Sequence, residues 1–205
     1  MSPFARRAGV FSFGTLIWIG AAACGKGSDT SDSAAAVDTG AAAMSPAEQA
    51  PAATALNDAQ IAHIVVTANS IDSAAGVAAK AKGQSKAVKD FAQTMITDHS
   101  GVNQQATALA TKLGVTPEDN GTSQQLNAGA VGSAATLQGT TGANFDRAYI
   151  DREVAYHEAV LDALDKTLVP SAQNAELKAL MVKVRPAFVA HLEHARRLQT
   201  SLAAK

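Results

Sequence analysis

Three histidines in this chain of 205 residues fall where a folded helix turns inward. His99 lies on the stripe Val88, Phe91, Met95, Val102, Ala106, Leu109 and Leu113; His157 lies with Ile150, Val154, Leu161 and Leu164; His191 lies with Val184, Phe188, Ala195 and Leu198. Steps of three and four residues put each set on one helical face. Asp72 joins them, in line with Val65, Ala68, Ala75 and Ala79. A polar group on such a face needs a partner, because burying it alone costs several kcal/mol. Neutral imidazole nitrogen and carboxylate oxygen together suit zinc, copper or iron. His99, His157, His191 and Asp72 are therefore candidate ligands of one transition-metal ion.

Glu153, one turn before His157, can add an oxygen to that set; Met95, one turn before His99, can add a soft sulfur; His194 can join from the flank of His191. Plainer readings stand beside these. Met95 serves as core, Glu153 pairs with Arg152 or a lysine, and His194 faces solvent beside Arg196 and Arg197. The His/Asp set as a whole can instead be a buried hydrogen-bond network that fixes helix register in a non-catalytic envelope module. His63 lies off its stripe and receives no role.

The elements that carry these residues are helices. Asn57 with Gln60 three residues on is a capping-box variant, and the stripe from Ile61 through Ala78 makes helix one run over about 58 to 82. Gly83 ends it, Ser85 can cap the next, and helix two runs to Leu113, with Gly114 as its stop and Pro117 beyond. Leu126, Ala130, Ala134 and Leu137 keep helical spacing, but Gly129 and Gly132 weaken a helix by roughly 1 kcal/mol each, so a short, poor helix is expected there. Asn144 can cap a third long helix that ends at Pro170 and Ser171. The fourth carries Leu177, Leu180, Met181, Val184, Phe188 and His191, and Pro186 inside it predicts a kink near Val182. No strand pattern competes. Four long helices joined by short turns imply an all-α, antiparallel bundle with a short extra helix in the second connection. Positions near mid-helix then share a level, which brings Asp72, His99, His157 and His191 together.

The N-terminus reads differently. Arg6 and Arg7, an apolar run through Ile19 and three alanines precede Cys24, the only cysteine. This is an export signal over residues 1–23, too short for a typical membrane span. Its end resembles a bacterial lipobox, in which the cysteine becomes the diacylated first residue of the mature chain. That accounts for a lone cysteine in an exported protein. Ala21 stands where Leu is usual, so cleavage after Ala23 to a free thiol, giving a secreted periplasmic protein, is the alternative. Gly25 in place of Asp implies sorting to an outer membrane, facing the periplasm.

Residues 24–55 hold Gly, Ser, Asp, Pro and Ala with hardly a large apolar side chain, and read as a lipidated cysteine plus a flexible tether. The folded domain is expected over 56–205. Loss of the leader lowers Lys plus Arg from 17 to 15 against 18 acidic residues, a mildly acidic mature chain. No basic footprint for nucleic acid is present. Strand-turn-helix nucleophile elbows and Gly-rich phosphate loops are absent from the sequence too.

Three stretches together, "VKDFAQTMITDHSGVNQQATALATKLGV", "NFDRAYIDREVAYHEAVLDALDK" and "LKALMVKVRPAFVAHLEHARRLQ", resemble a bacterial family known as domain of unknown function 4142. The resemblance covers about residues 56 to 202. It implies exported or outer-membrane-associated proteins with a ferritin-like four-helix bundle. Its motif histidines fall on His99, His157 and His191, and Asp72 stands where the family often has Glu. Ferritin-like di-iron enzymes use Glu-x-x-His pairs, and none occurs here; Glu153 and His157 are four apart. The resemblance therefore carries no ferroxidase or oxygenase chemistry with it.

The expectation is a lipid-anchored bundle that holds a metal ion for sequestration or sensing. Its anchor is testable directly: the wild type labels with fatty acid and fractionates with membranes, whereas Cys24→Ser takes no lipid. Equal labelling of both would remove the anchor.

Overall fold

The computed structural model describes residues 55–204. The expected leader (1–23), Cys24 and all of the expected tether but Ala55 lie outside the described residues. Among the described residues every regular element is helical. Helix α1 spans Asp58–Lys82, α2 Lys86–Leu113, α3 Gly121–Gly139 and α4 Gly142–Ala163. α4 passes without a break into a π-helical turn, Leu164–Leu168, and a short α-helical end, Val169–Ser171. The last helix, α5, spans Ala175–Ala203. α1 is long and apolar enough to cross a membrane by composition alone. It nevertheless buries Asn69 and Asp72 against its neighbours, as a core helix does.

The apolar stripes divide into two clusters. One contains Ile61, Ile64 and Val65 of α1, Val102 and Ala106 of α2, Leu164 and Leu168, and Leu177 through Phe188 of α5. The other contains Ala79, Val88 to Met95, Phe145 to Ile150, Ala195 and Leu202. Asp72, His99, Glu153, His157 and His191 fall between these clusters in sequence on their respective helices. α1 meets the first cluster and then the second, α2 the reverse, α4 the reverse and α5 the order of α1. α1 and α2, and likewise α4 and α5, thus cross the same three levels in opposite directions, whereas α2 and α4 run the same way.

The termini explain this register. The Asn57 side chain accepts from Gln60 N at 2.8 Å and the Gln60 side chain accepts from Asn57 N at 3.2 Å, closing the expected capping box. Gly114 takes φ 65°, a left-handed stop that favours glycine. Two turns are capped from a distance. Asp58 accepts from the backbone N–H groups of Gln173 and Asn174, both at 2.9 Å, which ties the start of α5 to the start of α1. Asp146 of α4 accepts from Gln84 and Ser85 N–H, both at 2.8 Å.

Three local expectations change. Ser85 is the N-cap of α2, but its side chain makes no capping bond; the Asp146 carboxylate instead accepts from the Gln84 and Ser85 N–H groups just ahead of the helix. Thr141, not Asn144, is the N-cap of α4. The helix expected to be short and poor is 19 residues long. Asn120 and Ser123 close a capping box at its start, and Lys82 Nζ donates to the Leu137 and Gln138 carbonyls at its end, at 2.7 and 3.2 Å. Satisfied ends compensate a glycine-rich middle. As expected, Pro186 lies inside the last helix, which continues through it.

Gly76 sets the α1–α2 spacing. A Cβ there would lie 2.9 Å from the Ala92 carbonyl oxygen and 3.1 Å from Ile96, so only glycine permits this approach, one turn beyond Asp72.

The Asp146 cap yields a prediction. The residue is 2% exposed, and removal leaves two N–H groups without their charged acceptor. Asp146→Ala should cost about 2 to 4 kcal/mol in urea unfolding; a loss below about 0.5 kcal/mol would show that the turn finds other partners.

Candidate metal centre

The polar layer gathers side chains from four helices. Asn69 and Asp72 come from α1, His99 from α2, Glu153 and His157 from α4, and His191 from α5, all buried. The imidazole rings form a near-equilateral triangle. Ring centroids of His99 and His157 are 5.5 Å apart, and His191 stands 5.4 Å from each. Phe188 stacks on His99 with centroids 5.0 Å apart and planes 14° from parallel, which fixes the ring plane.

Each imidazole has one nitrogen committed and the other free. Asn69 Nδ2 donates to the Val65 carbonyl at 2.7 Å, so its Oδ1 faces His99, and His99 Nδ1–H donates to that oxygen at 2.7 Å. His157 Nδ1–H donates to the Glu153 carbonyl at 3.0 Å. His191 Nε2–H donates to Asp98 Oδ2 at 2.9 Å. Among the described residues His99 Nε2, His157 Nε2 and His191 Nδ1 then lack a hydrogen-bond partner, as do Asp72 Oδ2 and Glu153 Oε2. An anchored nitrogen opposite a free one is how metal-binding histidines are held, with the outer bond fixing tautomer and aim.

The contact between His99 and Asp72 is the most informative. His99 Nε2 lies 2.9 Å from Asp72 Oδ2, close enough for an ion pair but off the line a hydrogen bond requires. With Nδ1 already a donor, neutral Nε2 presents a lone pair to a carboxylate oxygen. Two acceptors this close repel unless a cation, proton or metal, lies with them. His157 Nε2 is 3.7 Å from the same oxygen. Ligand atoms about 2.0 to 2.2 Å from one ion are separated by roughly 2.8 to 4.3 Å, so both distances are compatible with a shared ion. One ligand atom each from His99, His157 and His191 lies within 4.8 Å of the others, and the same holds for Asp72, Glu153 and His157.

Charge in this layer is unevenly held. Burial alone would raise the Asp72 pKa, but the His99 contact, Arg152 and His157 outweigh it and hold the carboxyl well below its usual range. Burial and the Asp72 charge push Glu153 well above its own. Burial pushes His157 down to about 4, against the pull of Asp72. Burial also lowers His191, while its bond to Asp98 acts the other way.

All five residues expected from sequence thus fall in one buried layer, with Glu153 at its α4 side. Met95 does not reach it and is fully buried in the second apolar cluster. His194 packs edge-on against Phe91, centroids 5.1 Å apart. His63 stands 3.7 Å from Asp119.

Three members escaped the sequence reading. Asn69 lies three residues before Asp72, a spacing that already marked it as a neighbour on the helix. Asp98 pairs with a histidine 93 positions away, for which no local signal exists. Arg152 was visible only as a partner for Glu153; it also binds Asp72, lies over the Tyr156 ring at 4.4 Å, and is largely buried. Tyr156 in turn donates to the Ala68 carbonyl at 2.7 Å.

A family model described as a domain of unknown function (DUF4142) matches residues 43–198, beginning within the stretch read as a tether. No curated protein and no solved structure matches the chain.

The lone-pair assignment can be checked in solution. In metal-free protein at pH 6, nitrogen-detected NMR should show His157 neutral with its proton on Nδ1. A charged ring, or the Nε2–H tautomer, would contradict the bond to the Glu153 carbonyl.

Proposed function

We propose that this chain, which belongs to the DUF4142 family, is a lipid-anchored envelope protein whose ferritin-like, antiparallel four-helix bundle binds one transition-metal ion for sequestration or sensing. His99 Nε2, His157 Nε2, His191 Nδ1 and Asp72 Oδ2 are the ligand atoms, and Glu153 stands by as a further oxygen. The folded domain hangs from Cys24 by its tether at the outer membrane, on the periplasmic side.

The observation that carries the reading is the set of five buried, unpartnered ligand-type atoms in one layer. A purely structural network would use its polar atoms on one another, since each one left unmade costs about 1 to 3 kcal/mol. Here every imidazole spends one nitrogen on an outer partner and leaves the inner one free. Three imidazoles beside carboxylate oxygen favour zinc, copper or iron(II) over calcium or magnesium, which take oxygen ligands. Storage or sensing agrees with a centre enclosed by Phe188 and both apolar clusters, with its outermost link to solvent at Asp98, whose side chain is 43% exposed.

Thermal melts separate this from the register-fixing network. A metal at one hundred times its dissociation constant stabilises a fold by about 2.7 kcal/mol, a shift of roughly 5 to 10 °C for a domain of this size. Zinc, copper or iron(II) should produce such a shift in wild type and little of it in His99→Ala or His157→Ala, whatever each variant loses in chelator with its outer hydrogen bond. No metal-dependent shift in wild type, together with variants that lose about 1 to 3 kcal/mol without metal, would replace the metal site by the network.

A further inference from the structure

Arg152 occupies the layer in an unusual way. A single guanidinium nitrogen, Nη1, holds both Asp72 Oδ1 and Glu153 Oε1. Those carboxylates come from two helices and are fully buried. One nitrogen on two carboxylate oxygens is the contact pattern of a bridging cation. The groups around it are ligand-type as well: Glu153 Oε2 and the Tyr149 hydroxyl are buried with no partner among the described residues, and ligand atoms of Asp72, Glu153 and His157 lie within 4.8 Å of one another.

We infer that the Arg152 guanidinium is a built-in cation standing in a second ion position, between the carboxyl groups of Asp72 and Glu153, and that it limits the centre to one metal ion. This rests on the metal site proposed above. Asp72 is then divided between two cations, Oδ2 toward the imidazoles and Oδ1 toward Arg152. The guanidinium has somewhere else to go, because Arg152 also lines two clefts beneath α3, of about 340 and 440 Å³. Without its positive charge, two buried carboxyl groups have no counter-ion and become ligands for a divalent cation.

The test is metal stoichiometry in the folded protein. Wild type, Arg152→Lys and Arg152→Met are each loaded with cobalt(II) or zinc(II), freed of excess ion, and measured by native mass spectrometry and elemental analysis. One ion per chain in wild type and in Arg152→Lys, and two in Arg152→Met, is the expected result. Two ions in wild type, or one in both wild type and Arg152→Met, overturns it. No ion in wild type but one in Arg152→Met would retire the imidazole site and keep the role of Arg152; none in either retires both. If Arg152→Met does not fold alone, it is refolded with zinc(II) and followed by circular dichroism. Recovery of helicity that saturates at two equivalents supports the inference, and failure to recover at any zinc(II) concentration counts against it.

Discussion

A carboxylate with no exposed surface governs this domain. Removing the Asp72 charge from water is costly, and the cost is offset only by a cation that approaches from another helix: Arg152 lies on one oxygen, while His99 and His157 flank the other. These contacts can be made in one arrangement of α1, α2 and α4. Gly76 serves the same end, since a side chain there would hold α2 away from α1 one turn beyond Asp72. Sliding any long helix by a turn, about 5.4 Å, would bring charged or imidazole groups against Ile61 and Leu180 or against Phe91 and Phe145. Alignment of the helices and placement of the polar layer are thus one constraint.

The outer partners carry the constraint further. Asn69 fixes His99 because its own amide is fixed by the Val65 carbonyl, and Asp98 fixes His191 from the edge of α2. Tyr156 places its ring beneath Arg152 while its hydroxyl is held by Ala68. None of these groups belongs to the inner layer by composition, yet each decides which nitrogen or oxygen an inner residue presents.

Much of this was legible in the sequence, and for identifiable reasons. Helical spacing is a local property, so the stripes gave α1, α2 and the polar positions on them directly. Asn57 with Gln60 and the left-handed Gly114 act within a few residues and were visible for the same reason. What stayed hidden depends on distant partners. Ser85 looked like a cap because nothing nearby announces that Asp146, 61 positions on, accepts from the turn. The Gly-rich stretch after Asn120 looked weak because Lys82, 55 positions before Leu137, holds its last carbonyls. The π-helical turn at Leu164–Leu168 has no marker in the residues themselves. In the site, identity and level were readable from side-chain type and period, whereas the aim of each imidazole was not.

The helices pair mainly as two hairpins, α1 with α2 and α4 with α5. Each hairpin owns part of the polar layer: Asn69, Asp72, Asp98 and His99 belong to the first, Arg152, Glu153, His157 and His191 to the second. Two contacts of the layer join the halves, because the Asp72 counter-ion lies on α4 and the His191 acceptor lies on α2. Docking of the hairpins is therefore also the step at which the layer becomes electrically complete. Hairpin formation draws on contacts close in sequence, but their union draws on contacts about 80 to 90 residues apart, whose closure is slow. A hairpin formed alone would hold Asp72 without Arg152, or His191 without Asp98, so the polar layer is completed only where the two halves meet.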